Sequence, residues 1–232
     1  MEYTYLDIAK MIDHSLLKPT LTTEDLEAGC QLALAYDVAS VCIMPFYLKR
    51  CAQLLKGSTV KASTTIGFPH GGHTTCVKQA EAERAIADGC EELDMVVNIS
   101  RVLSGDWKSV ADEIELLTGI THQAGQKIKV IFENCYLSEK QKIELCQICA
   151  GLGVDWVKTS TGYGSGGATL EDLKLMRTEC PENVQVKAAG GIRTLDQLLE
   201  VRAMGVSRVG ASATQTILDT CRERLGLSPL LN

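Results

Sequence analysis

Short apolar runs rich in β-branched residues alternate with amphipathic stretches of helix length along all 232 residues of the chain, the pattern of βα units on a parallel sheet. Eight runs predict strands, centred on Met11 to His14, Ser40 to Met44, Val60 to Phe68, Leu93 to Asn98, Ile128 to Asn134, Asp155 to Thr159, Val184 to Ala189 and Arg208 to Ser212. Helix starts are predicted where a Ser or Thr precedes an acid or amide by three residues, because such a pair satisfies free N–H groups of a first turn. Five pairs qualify: Thr22 with Asp25, Ser109 with Asp112, Ser138 with Gln141, Thr169 with Asp172 and Thr194 with Gln197. Gly89, Gly125, Gly153 and Gly205 recur between a helix end and the next strand, where a left-handed residue is often needed.

Repeated right-handed crossovers curl a parallel sheet the same way at every step until it closes. The expected fold class is therefore α/β: a (β/α)8 TIM barrel forming a single domain over residues 1–232. An open doubly wound sheet is the alternative, but it would more often carry a Gly-rich fingerprint after its first strand. Here that position reads DHSLLKPT.

A chain of this length buries a substantial core without disulfide help. Its formal net charge is -6 and no Lys/Arg stripe runs along it, so nucleic acid is not an expected partner. MEYTYLDIAK has acidic residues where a secretory signal needs a basic start. No apolar stretch approaches the roughly 20 residues that span a bilayer, so the expectation is a cytoplasmic protein with no membrane partner. The ten Cys lie scattered through apolar periodic segments and read as reduced core residues. Cys146 and Cys149 have CxxC spacing, but inside a helical pattern and with no second pair to complete a zinc site. No helix is apolar all round enough to demand a partner; a homodimer stays open.

In a (β/α)8 barrel the chemistry sits at the C-terminal strand ends, and four polar strand ends stand out: Asp13, Asp94, Lys158 and Lys187. A lone strand-end lysine more often snorkels outward. Two lysines on adjacent strands with an inward Asp change that balance. Burial and a neighbouring cation both lower a lysine pKa and make the amine nucleophilic, while the carboxylate keeps the pair compensated. Gly190 and Gly191 with Arg193 after strand 7, and Gly210 with Ser212 after strand 8, match the loops from which many barrels build a phosphate site. A phosphorylated substrate is expected.

IDHSLLKPT, VCIMP, IGFPHG, ELDMVVN, ENCYL, VKTSTGYGSGGAT, VKAAGGIR and VGAS occur in that order, and over nearly its whole length the chain resembles the deoxyribose-phosphate aldolase family. The resemblance implies a (β/α)8 barrel that reversibly cleaves 2-deoxy-D-ribose 5-phosphate to D-glyceraldehyde 3-phosphate and acetaldehyde. It implies Lys158 as the Schiff-base residue, with Lys187 perturbing its pKa and Asp94 working with Lys187 and a water as an acid/base relay. No metal or organic cofactor is then required. Asp13, Lys18, Cys42, Thr161 and Gly162 match positions lining the family's pocket. Three positions depart from the pattern. Ala213 stands where many members have a second Ser, Met44 where a polar residue is common, and the chain ends in LSPLLN without the Tyr that some members use in proton transfer.

His70 and His73 in FPHGGH could instead be metal ligands of a zinc-dependent aldolase, although four His in the chain leave little material for a third ligand. The sequence is also compatible with a same-family aldolase acting on another short phosphosugar, and with a non-catalytic sugar-phosphate-binding barrel.

Overall fold

The structure, a computed structural model, describes residues 3–230. Eight parallel strands close into one barrel in sequence order. They are β1 (Ile12–Leu16), β2 (Ser40–Ile43), β3 (Lys61–Ile66), β4 (Glu92–Val96), β5 (Lys127–Ile131), β6 (Trp156–Lys158), β7 (Gln185–Ala189) and β8 (Arg208–Ala211). Pairing of β8 with β1, through Ile12 with Val209 and Asp13 with Gly210, completes the ring. The open doubly wound sheet is thereby ruled out.

Helix α1 (Tyr5–Ala9) precedes the first strand. Around the barrel run α2 (Thr23–Tyr36), α3 (Leu48–Leu55), α4 (Thr75–Ala87), α5 (Ile99–Leu103), α6 (Trp107–Gln123), α7 (Glu139–Gly151), α8 (Leu170–Glu179), α9 (Leu195–Ala203) and α10 (Thr214–Arg224). Four of the five expected N-caps hold: Thr22, Ser138 and Thr194 form full capping boxes, and Thr169 accepts from the Asp172 N–H. The fifth is corrected. Helix α6 starts earlier, at Trp107, because Asp106 accepts from the Ser109 N–H and leaves Ser109 inside the first turn. The four glycines before strands all take positive φ, from 68° at Gly153 to 97° at Gly89, a conformation that costs glycine little.

Period two along each strand sorts side chains into two sets. Val41, Ile43, Leu93, Met95, Ile128, Val130, Val157, Val186 and Val209 are buried in one apolar cluster with helix residues such as Leu26, Ala82, Ile114, Leu145, Leu173, Leu198 and Ile217. This shell between sheet and helices is the hydrophobic core. The alternate positions are polar: Asp13, Ser40, Cys42, Ser63, Thr65, Glu92, Asp94, Lys129, Lys158 and Lys187 are all buried. Barrel interiors are more often filled by branched apolar residues, so here stability comes from the outer shell and the interior is left to charge.

One further buried ion pair lies outside the barrel interior. Lys78 on α4 donates to Glu113 on α6 at 2.6 Å and to the Val96 carbonyl at 2.7 Å, tying two helices to the end of β4. No helix of the described residues is long and apolar enough to cross a membrane.

Candidate active site

Asp94 is the hub of the interior. Its Oδ2 accepts from Lys158 at 2.6 Å and from Lys187 at 2.7 Å, and its Oδ1 accepts from Lys129 at 2.9 Å. The sheet dictates this convergence, because Lys158 and Lys187 are direct register partners on β6 and β7, while Asp94 and Lys129 are partners on β4 and β5. All three lysine stems therefore enter at neighbouring levels of one cross-section. Cys42 Sγ lies 4.0 Å from Asp94 Oδ2, and Ser63 Oγ lies 3.5 Å from Oδ1.

Asp13 lies across the ring from β5. Its Oδ2 is 2.6 Å from Lys187 Nζ and 3.7 Å from Lys129 Nζ. The Lys187 contact is ionic, since its direction does not satisfy hydrogen-bond geometry and Asp13 Oδ2 has no hydrogen-bond partner. Asp13 Oδ1 accepts from Arg208 at 2.5 Å. Glu92 closes the lower level, accepting from Lys129 at 2.6 Å and from the two Arg208 nitrogens at 3.1 and 2.8 Å. Trp156 underlies both cations, with Arg208 at 5.0 Å and Lys129 at 5.6 Å from its ring centroid, a cation–π arrangement.

The lysines are tuned in opposite directions. Burial pushes the Lys158 pKa below the ordinary lysine value; Asp94 opposes that and the Lys187 charge adds to it. For Lys187, burial acts downward too, but Asp13 and Asp94 outweigh it and the pKa is raised. Lys129 is raised well above the ordinary value, its burial overcome by Asp94, Glu92 and Asp13. Asp94 stays ionised: burial disfavours the carboxylate, but Lys129, Lys158 and Lys187 hold its pKa well below the usual range. Burial, then Asp94, raises the Cys42 thiol.

Above this floor opens a pocket of about 280 Å³, lined by Lys158 and Lys187 with Asp13, Cys42, Thr161, Gly162, Gly190, Gly191, Arg193, Gly210 and Ser212. Of the site residues expected from the sequence, two are not in its lining. Asp94 sits beneath the lysines and touches both; Lys18 is on the exposed loop after β1, outside the pocket. Met44 lies instead in a neighbouring apolar groove with Pro45, Phe46, Phe68 and Tyr163. His70 and His73 are both exposed on the loop after β3, and the described residues bring no three His, Cys, Asp or Glu side chains together as a metal site.

The loop after β6 is fixed by Glu133, a buried residue with left-handed φ of 58°. Its carboxylate accepts the Thr161 N–H at 3.1 Å and the Thr161 hydroxyl. Tyr163 reaches back to the Leu17 carbonyl at 2.6 Å, joining this loop to the one after β1. Further along, Gly167 packs on Gly190 so closely that an added Cβ would lie 2.5 Å from the Gly190 oxygen. Helix α10 starts behind Ser212 with Ala213 as its N-cap, which offers no side-chain acceptor to the first turn.

The sequence model of the DeoC/LacD family aldolases matches residues 8–213. The chain belongs to this family. This DeoC/LacD aldolase is 68% identical to the deoxyribose-phosphate aldolase of Rhodopirellula baltica over 226 residues, covering 97% of this chain and 94% of that one. It is 45% identical to the deoxyribose-phosphate aldolase of Thermococcus gammatolerans, over 94% of this chain and 97% of that one. Among solved structures, the tetrameric deoxyribose phosphate aldolase of Aeropyrum pernix superposes with a TM-score of 0.88 at 28% identity, over 95% of this chain and 93% of that one.

Lys129, Glu92, Arg208 and Trp156 do not stand out in the sequence as strand-closing residues. A signal for them exists all the same. Glu92, Trp156 and Arg208 each stand two residues before a site residue (Asp94, Lys158, Gly210), and Lys129 sits at the matching alternate position of KIKVI.

Proposed function

We propose that this aldolase reversibly cleaves 2-deoxy-D-ribose 5-phosphate to D-glyceraldehyde 3-phosphate and acetaldehyde, with Lys158 as the Schiff-base residue. One observation carries the assignment of Lys158: two buried lysine nitrogens, one at the pocket floor with a lowered pKa, share a single carboxylate oxygen. Such an amine gives up its proton more readily than an ordinary lysine and, once neutral, can attack a carbonyl. The names of the relatives support the substrate.

The Lys158 nitrogen adds to the C1 aldehyde, and loss of water gives an iminium. The products have two and three carbons, so the bond that breaks is C2–C3. Its electron pair moves into the iminium, leaving an enamine on Lys158, while the C3 hydroxyl loses its proton and leaves as the aldehyde of glyceraldehyde 3-phosphate. Protonation of the enamine carbon and addition of water then release acetaldehyde and the free amine. The iminium nitrogen is the electron sink, so the sequence of steps uses no metal or organic cofactor. Asp94, ionised and touching both lysines, with Lys187 as its cationic partner, is suited to move the protons through a water.

Gly190, Gly191, Arg193, Gly210 and Ser212 are assigned to the phosphate. Support comes from backbone free of side chains at Gly190 and Gly191, from Arg193 in the pocket lining, and from the first turn of α10, whose N-cap leaves its N–H groups without a side-chain acceptor and so open to an anion. Asp13, Cys42, Thr161 and Gly162 shape the sugar end of the pocket, and Lys18 is assigned only to the rim. A single barrel domain, a cytoplasmic setting and self-association complete the proposal. Ten free cysteines support the setting, and the tetramer described for the Aeropyrum pernix relative supports assembly of copies.

The test is to incubate the protein with acetaldehyde or deoxyribose 5-phosphate, reduce with borohydride and map the modified peptide by mass spectrometry. The adduct is expected on Lys158. An adduct elsewhere, or none, would overturn the assignment.

A further inference from the structure

We infer that Arg208 and Glu92, neither of which touches Lys158, act as positioning residues by setting how many protons the barrel interior holds: Arg208 favours the neutral Lys158 amine and Glu92 opposes it.

The interior holds three carboxylates, Asp13, Glu92 and Asp94, and four bases, Lys129, Lys158, Lys187 and Arg208, linked by contacts from 2.5 Å (Arg208 to Asp13) to 3.7 Å (Lys129 to Asp13). Water is nearly excluded, and even the most accessible of the seven side chains, Arg208, is only 13% exposed. An uncompensated charge in such a place is costly. Three anions balance three cations, so one base gives up its proton. Arg208 does not, because a guanidinium stays charged in proteins.

Among the lysines, Lys129 lies within 2.9 Å of both Glu92 and Asp94, and Lys187 within 2.7 Å of both Asp13 and Asp94. Lys158 has Asp94 alone, on an oxygen that Lys187 also uses. The proton vacancy therefore falls on Lys158. The raised pKa of the other two lysines and the lowered one of Lys158 agree with this order.

The groups facing Lys158 are Asp94 from β4, Lys187 from β7 and Cys42 from β2. Those facing Arg208 are Asp13 from β1, Glu92 from β4, Lys129 from β5 and the Trp156 ring from β6. Arg208 thus reaches Lys158 only through the carboxylates they have in common with the other lysines. Without Arg208, three carboxylates face three lysines, and balance is reached with Lys158 protonated. Without the Glu92 charge, two carboxylates face four bases, and the pressure on Lys158 to lose its proton grows.

The inference rests on Lys158 being the amine that reacts, and the experiment separates the two. The full-length chain, Arg208→Met, Arg208→Lys and Glu92→Gln are each incubated with acetaldehyde and cyanoborohydride across a pH series, and the initial rate of adduct formation on Lys158 is read by mass spectrometry. Relative to the unsubstituted chain, the acid limb is expected to move up by about one pH unit in Arg208→Met, a roughly tenfold slower reaction at the pH of its foot. It is expected to move down in Glu92→Gln and to stay in place in Arg208→Lys. Structural damage lowers the rate at all pH values and cannot move the limb in opposite directions. Limbs that coincide, or shift the same way, while the adduct still forms on Lys158 overturn the inference alone. Absence of a Lys158 adduct in the unsubstituted chain overturns the Schiff-base assignment instead. If Arg208→Met does not fold, Glu92→Gln decides, since glutamine still offers Arg208 an acceptor: a downward shift supports the inference and an unmoved limb refutes it.

Discussion

Lys158 and Lys187 are register partners on adjacent strands, and their nitrogens meet the same oxygen, Asp94 Oδ2, at 2.6 and 2.7 Å. One anionic oxygen cannot fully compensate two ammonium groups, and Lys187 has Asp13 as well. Lys158 is left as the weaker cation. We predict that Lys158→Ala abolishes turnover and that Lys187→Leu lowers kcat by about 10²- to 10⁴-fold, since it removes both the neighbouring charge and a member of the relay. Steady-state kinetics on deoxyribose 5-phosphate check this; near-normal kcat in Lys187→Leu would refute the role given to that charge.

Asp94→Asn is predicted to cost stability as well as activity. Three lysines lose the carboxylate they converge on, and breaking a buried ion pair from one side typically costs about 3–5 kcal/mol. Lys78→Met makes the matching cut at Glu113, neither residue being in the pocket lining, and should destabilise comparably while leaving kcat unchanged. Urea unfolding beside kinetics separates the two variants.

His14 gives a pH dependence with a definite sign. Burial lowers its pKa from 6.5 to about 4, and its Nδ1 lies 2.8 Å from the Thr214 hydroxyl. Between those values the unfolded chain binds a proton that the folded chain refuses, so this contribution is complete above pH 6.5 and is lost as pH falls toward 4, to a total of about 3 kcal/mol. His14→Gln should flatten that part of the stability profile. An unchanged slope between pH 6.5 and 4 would assign the acid sensitivity elsewhere.

Gly167 and Gly210 should respond differently to alanine. At Gly167 the new Cβ meets the Gly190 backbone at 2.5 Å, and backbone must move; at Gly210 the nearest atom is the Ala189 Cβ at 3.5 Å, an ordinary contact. Gly167→Ala therefore displaces the loop assigned to the phosphate and should lower kcat/KM by about tenfold or more through KM, with a smaller effect on an unphosphorylated aldehyde. Gly210→Ala should keep its fold and unfold at an unchanged urea midpoint. An equal fold-change in KM for phosphorylated and unphosphorylated substrates in Gly167→Ala would count against the loop assignment.

Much of the barrel was legible because its outward strand positions are apolar and most of its helices begin with a side-chain cap, both local signals. Ser109 misled because Asp106, three residues earlier, competes for the same first turn. Lys158, Lys187 and Asp94 could be found as charged residues inside otherwise apolar strand runs, although only Lys158 closes its strand; Asp94 and Lys187 are the central residues of β4 and β7, one level deeper than expected. Glu92, Lys129 and Arg208 escaped because their partners lie on strands far apart in sequence: Arg208 and Glu92 are separated by 116 residues. Which charges meet across a closed ring is decided by register and closure, and no window of sequence contains either. Lys18 shows the converse, a motif position that the fold leaves on an exposed loop.

The polar interior also bears on how this barrel could be engineered. Replacing a buried ion pair by apolar side chains of similar volume is often neutral or stabilising, and Arg208 with Glu92, lying below the pocket and outside its lining, looks like a safe place to try it. Removing both together conserves the proton count and should spare the chemistry; removing either alone does not. Thermostability and reactivity are therefore separable in this interior only when charges are exchanged in matched pairs.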